Sequence, residues 1–159
     1  MKKFLVITFL LITVISFSSY TTKNSYKPLT GSFAPKITLS GEEKNLVNFQ
    51  ENGLTLVHFW ASYDANSRIN NLRFNQLAKE REDIAFVSIA MENYQSVFDA
   101  TLKTDGLSTE NHYRETLQSE ISNLYKLNEN GFGSFLVNRQ GVIIAQNISA
   151  EGLQQLLSN

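Results

Sequence analysis

The side chains best suited to chemistry fall within one short stretch. His58 sits inside an apolar run, Asp64 and Ser67 follow it three residues apart, and Arg68 comes next. A serine hydroxyl attacks a substrate only beside a base, and the chain holds 2 histidines, His58 and His112. An enzyme built on Asp64 and Ser67, with Arg68 as an anion clamp, is therefore one expectation. Each residue also has a structural role open to it. Asp64 can cap the helix that follows, His58 can be a hydrogen-bonded core histidine, and Arg68 can be a scaffold residue. No set of His, Asp and Glu has metal-ligand spacing, and Asp64 has no partner within a turn, so no metal and no cofactor is expected.

The chain of 159 residues contains no cysteine. That excludes disulfides, thiolate metal sites, iron–sulfur clusters, a thiol nucleophile and a lipid-modified cysteine. With 14 Lys+Arg against 15 Asp+Glu and a net charge of -1, there is no electrostatic footprint for nucleic acid or an anionic membrane. Hydrophobic residues make up 42%, too many for a disordered chain at so small a charge, and the length suits one domain.

The elements that must position these residues follow from periodicity. Residues 54–60, L-T-L-V-H-F-W, form a nearly continuous apolar run, as does 84–90; such runs suit strands buried on both faces of a parallel sheet. Between them a helix is predicted over 65–80 with Asp64 as its N-cap. Its apolar stripe is imperfect, with Phe74, Leu77 and Ala78 together and Ile69 and Leu72 to one side. Ile37 and Leu39 predict a short strand, followed by a turn over 40–43. Helices are predicted over 94–103, 117–127 and 150–158, and a loop over 105–116. Residues 134–138 and 142–145, flanking Arg139-Gln140-Gly141, predict a hairpin. The fold class is therefore α/β, a central mixed sheet with helices on both faces and a C-terminal β-hairpin plus helix.

Residues 1–18 have the layout of a secretory signal peptide: Lys2 and Lys3, an apolar core, then small residues at Ser16 and Ser18. The core is short for a transmembrane anchor, so membrane contact is expected only where this segment is left uncleaved. Residues 19–32 read as a polar tether and 33–159 as the domain. The expected destination is the envelope of a bacterium, the periplasm. The sequon Asn147-Ile148-Ser149 is a pattern common by chance.

The stretch F-W-A-S-Y-D-A-N-S-R over 59–68 resembles the thioredoxin superfamily, above all the exported thiol–disulfide oxidoreductases of the TlpA/ResA type with F-W-A-S-W-C-x-x-C-R. In order, A-P-K-I-T-L over 34–39, Tyr125 and F-L-V-N-R-Q-G-V-I over 135–143 fit the same family. The resemblance covers 33–159 and implies a thioredoxin-like fold. It places the two missing cysteines at Asp64 and Ser67 and the family's cis-proline at Phe132, whose peptide bond is then expected to be trans. Thiol–disulfide exchange needs sulfur at both positions, so no catalytic residue is expected for it. The candidate binding residues are Trp60, Tyr63, Asp64, Ser67, Arg68 and Phe132. Trp60 and Tyr63 can stack on a ligand or pack; Phe132 can project outward as an apolar contact or pack inward. Three functions follow: a redox-inactive envelope protein that binds a peptide or protein, an enzyme with non-thiol chemistry at Asp64 and Ser67, or a homologue with no distinct activity.

Overall fold

A computed structural model describes residues 29–39, 47–49, 53–81 and 83–158. The expected signal peptide, most of the tether and the turn over 40–43 lie outside the described residues. Among those described, no helix is long and apolar enough to cross a membrane.

The two apolar runs become the paired centre of the sheet. β1 (Leu54–Trp60) lies between β2 (Ile84–Met91), parallel to it, and β4 (Ser134–Asn138), antiparallel. β3 (His112–Glu115) extends the sheet beyond β2 in parallel, and β5 (Ile143–Gln146) beyond β4 in antiparallel, giving the order β3-β2-β1-β4-β5. The connections carry α1 (Ala65–Lys79), α2 (Gln95–Thr104), α3 (Glu120–Leu124) and α4 (Leu127–Asn130), and α5 (Ala150–Ser158) ends the chain. The hairpin turn is shaped by Gly141 at φ +78 and by Asn138, whose Oδ1 accepts from the amides of Gln140 and Val142.

Successive strand side chains point to opposite faces, and both faces are apolar here. On one, Val57, Phe59, Val87, Ile89, Phe135 and Val137 pack with Ile121 and Tyr125 from the α3 region and with Ile37. On the other, Leu56, Phe86 and Leu136 pack under Phe74 and Leu77 of α1 and Leu153 of α5, while Trp60 and Ala90 pack with Phe98 and Leu102 of α2. The mixed sheet with helices on both faces is thus as the sequence predicts.

Three expectations are corrected. Ile37 is buried, but residues 34–39 form no strand; the sheet contact there is a single bridge between Phe33 and Val142. The supposed loop over 105–116 contains β3, hidden because His-Tyr-Arg-Glu buries its two polar ends, His112 and Glu115. The helix over 117–127 is two short helices, because Lys126 at φ 56 turns left-handed between them.

One layer of the core is polar. His58 pairs in register with Ser88 and with Ser134, and Ser88 pairs with His112, so these four side chains form a row across the α1 face of four strands. All are buried. The inward face of α1 matches it: its buried residues are Ser67, Asn71, Phe74 and Leu77, polar over the row and apolar beyond it. That division is why the apolar stripe of α1 looks imperfect in the sequence.

Candidate functional site

α1 begins where β1 leaves the sheet. Asp64 adopts extended backbone angles, and its Oδ1 accepts the amide hydrogen of Ser67 at 2.7 Å. The carboxylate thereby satisfies one of the free N–H groups of the first turn and sets a negative charge at the positive helix end. The preceding turn is held from the side by Glu92, whose Oε1 accepts from the Ser62 amide at 2.5 Å. Glu92 is itself buried at the end of β2.

Ser67 is not poised as a nucleophile. It is 5% exposed; its hydroxyl donates to the Asp64 carbonyl at 3.2 Å and accepts from the Ala61 amide at 3.3 Å. His58 reaches Ser67, but through Nε2 to the backbone carbonyl at 2.9 Å. A carbonyl only accepts, so the imidazole carries its proton on Nε2. Burial lowers the His58 pKa to about 4, partly offset by that backbone bond, and the ring is neutral near pH 7. His112 lies two strands away in the polar row, with Nδ1 on the Glu110 carbonyl at 2.8 Å. Neither histidine hydrogen-bonds the Ser67 hydroxyl.

The other candidates divide. Arg68 grips Asp105 through Nε at 2.8 Å and Nη2 at 2.5 Å, tying α1 to the end of α2. It is a scaffold residue and not an anion clamp, because its donor fork is engaged. Trp60 is wholly buried with Nε1 donating to Ser88 Oγ at 2.8 Å, and so packs rather than stacking on a ligand. Tyr63 is 68% exposed. Phe132 is half-buried: it packs against the core below and meets the Tyr63 ring edge-on at 6.0 Å. No cis peptide bond occurs among the described residues, as expected at Phe132.

A cleft of 340 Å³ lies between the start of α1, the loop over 131–134 and residues 147–149. His58 and Ser67 lie at its base, with Asp64, Phe132 and Asn147 around it. Gly131 at φ +73 turns the chain into the loop, and a Cβ at Gly133 would overlap Asn147 Oδ1, so glycine there lets the two loops meet. A larger depression of 480 Å³ lies at the opposite end of β2, beside Lys79 and Tyr113.

Sequence reasoning missed Ser88, Asn71, Glu92 and Ser134. Ser88 Oγ accepts from Trp60 and donates to Asn71 Oδ1 at 2.7 Å, and Ser134 Oγ donates to the Ile148 carbonyl at 2.7 Å. The available signal was the polar residues that interrupt each apolar run, Thr55 and His58 in one and Ser88 in the other.

Among solved structures, a thioredoxin-like protein from Parabacteroides distasonis matches with a TM-score of 0.71 and 36% identity, over 82% of this chain and 95% of that one. A thiol-disulfide oxidoreductase from Bacteroides fragilis matches with a TM-score of 0.64 and 24% identity, over 79% and 97%. The thioredoxin domain of a thiol-disulfide oxidoreductase from Bacteroides vulgatus matches with a TM-score of 0.58 and 17% identity, over 83% and 97%; these last two speak to the fold alone. No family model and no curated protein matches the chain.

Proposed function

Since the chain belongs to the thioredoxin superfamily yet contains no cysteine, we propose that it acts by binding a peptide or protein segment and not by thiol–disulfide exchange. Exchange proceeds through a thiolate and a mixed disulfide that a second sulfur resolves, and a carboxylate and a hydroxyl at 64 and 67 supply neither. The observation that carries the proposal is the state of the helix start. Asp64 and the Ser67 hydroxyl are both engaged in holding the first turn, and beside them lies a formed cleft that contains no thiol. The basic start and apolar run of residues 1–18 support export to a bacterial envelope, where the partner would be met.

Two measurements test this. In an insulin-reduction assay with dithiothreitol the protein gives no turnover above buffer; measurable turnover refutes the redox-inactive reading. In a titration with extended peptides followed by amide NMR, the shifts concentrate at 64–67, 131–134 and 147–149. Binding without shifts there places the interface elsewhere, and no binding by any peptide refutes the binding reading.

A further inference from the structure

Among the described residues that line this cleft, the one charged side chain is acidic, Asp64. Asp64 borders it, and the buried Glu92 carboxylate sits behind the same turn under the Ser62 amide. Partial burial and then the charges of Glu92 and Asp64 raise the pKa of the Tyr63 hydroxyl, so both carboxylates are felt where Tyr63 stands. Among the described residues no lysine or arginine lines the cleft, and Arg68, next to Ser67 in sequence, is spent on Asp105. The helix N-terminus, which would otherwise draw an anion, is already filled by Asp64 itself.

One further observation points to a ligand. Tyr63, exposed, and Phe132 present a pair of aromatic rings beside the Asp64 carboxylate. A carboxylate and ring faces are what a cation is recognised by. An acidic segment would instead bring like charges together without a counter-ion.

Resting on the peptide-binding reading, we propose that the cleft mouth receives a basic side chain, lysine or arginine, from an extended partner segment. Its ammonium or guanidinium group lies against Asp64 and over the Tyr63–Phe132 rings, and the flanking backbone runs along the 131–134 loop.

The test uses fluorescein-labelled peptides of one neutral sequence that differ only at a central Lys, Arg, Met or Glu, with binding to the purified chain read by anisotropy. The Lys and Arg peptides bind about tenfold tighter than the Met peptide at low salt, and the gap narrows at high salt. Asp64→Asn keeps an N-capping side chain and abolishes the gap; Tyr63→Ala reduces it. Equal affinity for Lys and Met, a preference for Glu, or a basic preference that survives both substitutions overturns this inference and leaves peptide binding standing. Failure of all four peptides to bind removes the peptide-binding reading itself and the basic preference with it.

Discussion

At the first turn of α1 a carboxylate stands where the resembled motif has a thiolate, and both anions favour the positive end of a helix. Electrostatic character is thus retained while nucleophilicity is lost. Asp64→Ala should cost about 1 kcal/mol of stability, and Asp64→Asn much less, since asparagine caps nearly as well; urea denaturation distinguishes the two. Equal losses would mean that the charge, not the capping bond, is what matters. His58 makes a prediction with a definite sign. Its folded pKa, about 4, is below the ordinary 6.5, so the unfolded chain binds the proton first. The stability it contributes is full above about pH 6.5 and is lost as pH falls from there through about 4, on the order of 3 kcal/mol. His112 is shifted in the same direction by burial, so His58→Gln should lose less stability on acidification without becoming flat. Parallel thermal-unfolding curves for the variant and the parent would overturn the assignment. The Asp64 cap was legible in the sequence because few residue types cap helices and one stood just before the helical segment. The occupied hydroxyl of Ser67 was not, since its partners depend on how the turn folds back.

Elements with strong periodicity came through well: β1, β2, α1, the hairpin and α5 lie within a residue or two of where the sequence predicts them. The failures are short elements whose cause is tertiary. β3 buries polar side chains at both of its ends, which no alternation of apolar residues announces. The break between α3 and α4 depends on one lysine in a left-handed conformation, which costs an L-residue with a side chain roughly 1 kcal/mol that glycine avoids. Lys126→Gly should therefore stabilise the protein by up to about 1 kcal/mol, less what glycine gains in freedom when unfolded. A drop in melting temperature would show instead that the Lys126 side chain is needed where it stands. At the cleft, Gly133 and Asn147 were visible as residues, but their close approach was not. It arises from a loop at 131–134 meeting the turn after β5, two segments brought together by β4 and β5 pairing.

For the molecule as a whole, the fold outlasts the chemistry that its relatives are named for. The positional match has a direct check: the Asp64→Cys/Ser67→Cys double variant should form an intramolecular disulfide on oxidation, lowering the free-thiol titre, because the two positions lie one helical turn apart across the cap. Two free thiols under oxidising conditions would show that the match at 64 and 67 is misplaced. Sequence carried the family; it did not carry the polar row of His112, Ser88, His58 and Ser134. That row bears on how α1 finds its seat. Apolar contact is non-directional, so a helix resting on an evenly greasy sheet is free to slide along it at small cost. Here Ser88 bonds the Asn71 side chain and His58 bonds the Ser67 carbonyl, and each bond is satisfied at one height only. The row acts as a detent: it sets the axial position of α1, and with it the distance by which Asp64 stands clear of the strand ends.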